Sequence, residues 1–98
     1  ARIREADVLL VVGERLGVAG EYGMIGLRTF MRFEGGVPEG LPNAINTSFA
    51  TVKASVDEDG DLVVQTPIIL HGGVAPANLE MCFSVWRETL EEILQGLE

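Results

Sequence analysis

The sequence predicts an α+β domain in which an antiparallel sheet is flanked by helices. Three observations carry this: a hairpin whose alternation and turn chemistry agree, an amphipathic C-terminal helix, and a further alternating stretch upstream. The hairpin is the most legible. Over 50–56 the even positions Ala50, Val52, Ala54 and Val56 are apolar, and Thr51, Lys53 and Ser55 are polar. Over 62–70 the even positions Leu62, Val64, Ile68 and Leu70 are apolar, with Thr66 the exception. Period-two alternation gives strands with one buried face. Between them, Asp57, Glu58, Asp59, Gly60 and Asp61 suit a type I turn with Gly60 left-handed and a G1 bulge. Pairing Asp57 with Asp61 sets Val56 opposite Leu62, Ala54 opposite Val64 and Ala50 opposite Ile68. The other face then holds Lys53, Ser55, Val63 and Gln65, with Phe49 opposite Ile69. Pro67 lacks a donor, which marks a sheet edge or a strand irregularity.

The C-terminal helix follows from Leu79, Cys82, Phe83, Trp86, Leu90, Ile93, Leu94 and Leu97, which recur at three- and four-residue steps. Pro76 suits its first turn, where no backbone donor is needed. Glu88, Glu91 and Glu92 fall largely off the stripe. Acidic residues late in a helix oppose its dipole, so packing must hold it. Residues 25–33 alternate as a strand, with Ile25, Leu27, Thr29, Met31 and Phe33 on one face and Phe30 interrupting the other. Residues 39–47, bracketed by Pro38 and Pro42, suit a short helix or irregular turn. At the N-terminal end, Ile3, Ala6, Leu9, Leu10, Gly13 and Leu16 fit a helix ending at Gly17. Val8, Val11 and Val12 also fit a buried strand there.

Length and charge bound the rest. Ninety-eight residues, 47% apolar, suit one domain spanning 1–98. Seven Lys and Arg against fifteen Asp and Glu give a net charge of −8. Residues 1–50 carry five basic and six acidic groups and residues 51–98 two and nine, so the halves differ, at −1 and −7. That balance opposes nucleic-acid binding, which needs clustered cations. The longest apolar run, Val8 to Val12, is five residues, far below the ~20 that span a bilayer, so no membrane role is expected. One cysteine, Cys82, excludes an internal disulfide and fits a reducing compartment. The start at Ala1 rather than Met is expected of a piece of a longer product, and cytoplasm is the default location.

The run from Asn43 to Asn46, the strand Ala50 to Val56, the acidic turn Asp57 to Asp61, and Ile68 to Val74 leading into a helix bearing Trp86 resemble the YbjN-type family. The resemblance covers residues 38–98 best. It implies a fold like that of the type III secretion chaperones, an antiparallel sheet flanked by helices in the order α-βββ-α-ββ-α, and a role in regulating bacterial sensory transduction. Only about twenty residues, 17–37, stand where three strands of ordinary length are implied. The first part of the sheet is therefore expected to be trimmed or missing.

No constellation for catalysis stands out. Asp57, Asp59 and Asp61 lack the EF-hand spacing, with glycine fourth and Ile68 twelfth, and read as a solvated turn. His71-Gly72-Gly73 looks like an oxyanion loop but has no nucleophile elbow beside it, and paired glycines are ordinary turn residues. Cys82 lies on the apolar stripe and reads as packing. Glu88, Glu91 and Glu92 read as a solvated face, and the sequon Asn46-Thr47-Ser48 matters only in a secreted eukaryotic protein. No catalytic, metal or cofactor-binding residue is assigned, and no cofactor is expected. The expectation is a non-enzymatic, regulatory or chaperone-like module that binds a protein partner and forms a homodimer. Phe49, Val63 and Ile69, on the hairpin's second face, are the candidate contact surface, unless a helix of the same chain covers them. The alternative is a small-molecule-binding or hydrolase domain with a pocket between sheet and C-terminal helix, using His71 and a nearby carboxylate.

Overall fold

The computed structural model describes residues 3–15, 22–70 and 72–97. The elements are β1 (Ile3–Arg15), β2 (Tyr22–Phe33), α1 (Leu41–Ser48), β3 (Lys53–Val56), β4 (Leu62–Ile69) and α2 (Pro76–Gly96). The strands form one antiparallel sheet in the order β1-β2-β4-β3. The class is α+β, a sheet flanked by helices, with the element order ββαββα. Two strands precede α1, so the helix expected over 3–17 is corrected to a strand over 3–15. Gly17 and Gly20 lie outside the described residues. Two bulges explain the misleading spacing. β1 carries one extra residue against β2 between Ile3 and Glu5 and another between Asp7 and Leu10. Each slips the alternation by one position, so a strand acquires helix-like intervals. Residues 22–33 form one continuous strand, as the alternation over 25–33 predicts.

The hairpin forms in the expected register. Asp57 N–H donates to the Asp61 carbonyl at 3.0 Å, Gly60 N–H to the Asp57 carbonyl at 3.1 Å, and Gly60 sits at φ 82°. Val56 pairs with Leu62 and Ala54 with Val64. β3 begins only at Lys53, however, so the pairing of Ala50 with Ile68 does not form. Beyond Gln65, β4 has β2 alone beside it, with Ile69 opposite Met24.

The core lies on one face of the sheet. Leu27, Met31 and Phe33 from β2 and Leu62, Val64 and Ile68 from β4 pack against Ile45 of α1 and against Trp86, Leu90 and Ile93 of α2. Both helices therefore cover the same face. Burial of the three α2 side chains contributes roughly 1.5–3 kcal/mol each, and it stands in for electrostatics. α2 has no acidic residue in its first turn and no basic one in its last, and its N-cap Ala75 offers no side-chain hydrogen bond. α1 is preceded by its N-cap Gly40, which adopts φ 80° and accepts from Ala44 N–H at 2.9 Å.

Both outer strands are blunted against further pairing. In β3, the Asp57–Asp61 pair is hydrogen-bonded, so Ala54 turns its main-chain groups away from β4. There Asn46 of α1 takes them both: its Nδ2 donates to the Ala54 carbonyl at 2.9 Å, and its Oδ1 accepts from Ala54 N–H at 2.7 Å. β1 carries its two bulges.

Candidate interaction face

The helices leave the second face of the sheet uncovered among the described residues. Its side chains come from even positions of β2 and odd positions of β3 and β4, and the register orders them in rows. Phe30, Val63 and Ser55 make one row, and Arg28, Gln65 and Lys53 the next. Gly26 and Pro67 follow, then Met24 and Ile69. Arg28 Nε donates to Gln65 Oε1 at 3.2 Å, bridging two strands. At the hairpin end, Arg32 grips Asp61 with Nε to Oδ1 at 2.9 Å and Nη2 to Oδ2 at 3.2 Å, a bidentate geometry that fixes both side chains.

The Gly26–Pro67 row sinks below its neighbours, because glycine has no side chain, proline a short one, and β3 has already ended. The result is a hollow of about 370 Å³ bordered by Met24, Arg28, Lys53 and Gln65. Around the edge of β4, on the helix side, lies a smaller notch of about 190 Å³ walled by Ile68, Met81, Cys82, Val85 and Trp86. Trp86 Nε1 is buried without a hydrogen-bond partner among the described residues, a deficit of roughly 1–3 kcal/mol that packing offsets.

The three candidate contact residues do not form one patch. Ile69 is 51% exposed, at the rim of the hollow. Val63 is on the same face but only 7% exposed; it lies between the Arg32–Asp61 fork and the Arg28–Gln65–Lys53 row, whose long stems cover apolar surface. Phe49 is corrected outright: as the C-cap of α1 it packs onto the core. No helix among the described residues covers Val63 or Ile69.

Asp57, Asp59 and Asp61 bring carboxylate oxygens within 4.8 Å of one another. Those oxygens serve the turn: Asp57 Oδ1 accepts from Asp59 N–H at 3.0 Å and Asp61 N–H at 2.9 Å, and Asp61 holds Arg32. Gly72 and Gly73 adopt φ 89° and 92° in a turn where Gly73 N–H donates to the Leu70 carbonyl. His71 lies outside the described residues. Cys82 is half-buried on the notch wall. Glu88, Glu91 and Glu92 are exposed on α2, where Glu91 faces Arg87 at 4.0 Å. No helix among the described residues is long and apolar enough to cross a membrane.

Sequence reading passed over Asn46 and the Arg28–Gln65–Lys53 row. The row was within reach, since hairpin register pairs Lys53 with Gln65, but Arg28 joins it only through β2–β4 pairing, which no turn specifies. Asn46 has no signal, because its partner is main chain from another element.

Neither a curated protein nor a solved structure matches this chain. The sequence model of the YbjN family, described as a "putative bacterial sensory transduction regulator", matches residues 35–98. The matched segment runs from before α1 through α2, well over half the chain, and the protein belongs to the YbjN family.

Proposed function

We propose that this protein is a non-enzymatic regulatory module, chaperone-like in manner, which acts in the cytoplasm by docking a protein partner on the helix-free face of its sheet. One domain over 1–98 presents that face. The observation that carries the reading is the asymmetry of the sheet. Both helices bury against one side, while the other exposes Ile69 and Pro67 beside half-buried Met24, edged by the polar row of Arg28, Gln65 and Lys53. Exposed apolar side chains bordered by polar groups are the usual form of an interaction site. Membership of a regulator family supports a binding role over a catalytic one.

The test is direct binding of a partner identified by capture from a bacterial lysate, measured calorimetrically with the native chain and with Ile69→Glu. Loss of affinity in the variant, with an unchanged melting temperature, supports the reading; equal affinity removes it. Homodimerisation belongs to the same proposal, with two copies joined through this face. Light scattering over a concentration series that shows a monomer throughout removes the dimer and leaves partner docking standing. The notch between β4 and α2 is the natural place for a small ligand, yet about 190 Å³ falls below the ~300 Å³ of ordinary ligand sites.

A further inference from the structure

The notch on the helix side of the sheet owes its shape to the short β3. Because β3 begins only at Lys53, β4 runs on over 66–69 with β2 alone beside it, and its edge stays open next to α2. Ile68 lines the notch from β4, and Met81, Val85 and Trp86 line it from α2. Trp86 is 4% exposed, and its Nε1 donor finds no acceptor among the described residues. Not even the sulfurs of Met81 and Cys82, in the same wall, accept from it. Buried donors are seldom left so, because the group has given up water without gaining a partner.

The rest of the wall restricts what can answer that donor. No charged side chain lines the notch among the described residues. An ion entering it would lose hydration with no counter-charge in exchange, and a chain of net charge −8 repels anions besides. Thr66, also in the wall, gives its hydroxyl proton to the Thr51 carbonyl at 2.7 Å, so its oxygen is left as an acceptor. Size sets the remaining limit. About 190 Å³ is too little for a drug-sized molecule, yet an apolar cavity of roughly 150 Å³ is enough to hold benzene.

We propose that the notch binds a small neutral molecule, an apolar body of about benzene to indole size bearing a hydrogen-bond acceptor that takes the Trp86 indole N–H. An aromatic ketone, an ester or a lactone has this chemistry. The apolar body replaces water against Ile68 and Val85, and the flexible side chain of Met81, 61% exposed at the rim, adapts to cover it. The site lies on the side of the sheet opposite the docking face, so this inference stands apart from the docking reading and either can fail alone.

The experiment compares three probes of similar size: acetophenone, which carries the acceptor, ethylbenzene, which lacks it, and benzoate, which is charged. Each is titrated into the isotope-labelled full chain, whose one tryptophan gives a single indole N–H cross-peak. Acetophenone is expected to move that peak downfield in the proton dimension, together with the Cys82 and Val85 amides. It saturates in about the high-micromolar to millimolar range that so few atoms allow. Ethylbenzene moves the amides without the downfield indole shift, and benzoate moves none of them. Trp86→Phe removes the donor, so acetophenone binds roughly three- to tenfold more weakly, the worth of one hydrogen bond. Ethylbenzene affinity is the control for altered packing in that variant and holds. Val85→Phe, at a half-buried position of the wall, fills the notch and abolishes binding of both neutral probes while the spectrum stays that of the folded chain. An indole peak unmoved by acetophenone, benzoate binding as tightly as acetophenone, equal losses for both neutral probes in Trp86→Phe, or undiminished binding in Val85→Phe overturns the inference.

Discussion

Replacing Asn46 by alanine tests the most specific tertiary link in the fold. The Asn46 side chain makes two hydrogen bonds to the main chain of Ala54, at 2.9 and 2.7 Å, on a residue only 4% exposed. Each such bond contributes about 1 kcal/mol net. Asn46 itself is exposed, so water reaches the vacated edge and the full dry-burial penalty does not apply. The expected loss is therefore about 2 kcal/mol, which for a chain of this size lowers the melting temperature by roughly 8–16 °C. Urea denaturation is the assay, and an unchanged slope with a lower midpoint is the expected form. Thr47→Ala is the control. The Thr47 hydroxyl donates to the Asn43 carbonyl within the same helix, at 2.8 Å, and its removal costs less than about 0.5 kcal/mol. A second readout is independent of stability: with Ala54 N–H and C=O released, β3 becomes a pairing edge, and concentration-dependent association appears in light scattering. An Asn46→Ala chain as stable and as monodisperse as the Thr47→Ala control refutes the reasoning.

Other perturbations follow from the same geometry. Gly60→Ala meets no atom within 4 Å but must hold φ 82°, so it destabilises by about 1–2 kcal/mol through backbone strain alone; thermal denaturation measures it. Arg32→Ala breaks the bidentate contact with Asp61 at the surface and costs about 0.5–1 kcal/mol, a difference that shrinks when the denaturation is repeated in high salt. Leu90→Ala opens a cavity under α2 and costs about 2–5 kcal/mol, with Trp86 emission shifting as the packing loosens. Millimolar calcium leaves the melting temperature unchanged, because the Asp57 and Asp61 carboxylates are already committed to the turn and to Arg32.

Where the sequence was legible, two independent constraints pointed to one structure. At 53–65 the alternation and the turn from Asp57 to Asp61 demand the same register, and both were met. In α2 the stripe from Leu79 to Leu97 finds the buried face at Trp86, Leu90 and Ile93, but its members Phe83 and Leu94 are exposed, and Thr89, buried beside Leu90, is invisible to a hydropathy pattern. Legibility failed where only one constraint was present. In β1 the bulges shifted the phase of a short pattern. At Phe49 the alternation ran on past the point where the strand ends, because Ala50 and Val52 continue it while the chain turns back toward α1. The candidate face failed in part for the same reason: sequence puts Val63 and Ile69 on one face, but cannot tell that charged rows shade the first and leave the second bare.

The central position of β4 bears on how the chain can be divided. The segment matched to the family starts at residue 35, after β2, yet all of β4 pairs with β2, and Leu27, Met31 and Phe33 supply much of the wall against which the helices close. A truncated chain starting at residue 35 would strip one long side of its middle strand bare and remove those three side chains. Such a fragment should aggregate or stay unfolded. The folding unit of this protein thus extends upstream of the matched segment, through β2 and the β1 strand paired with it, and a minimal version should keep both.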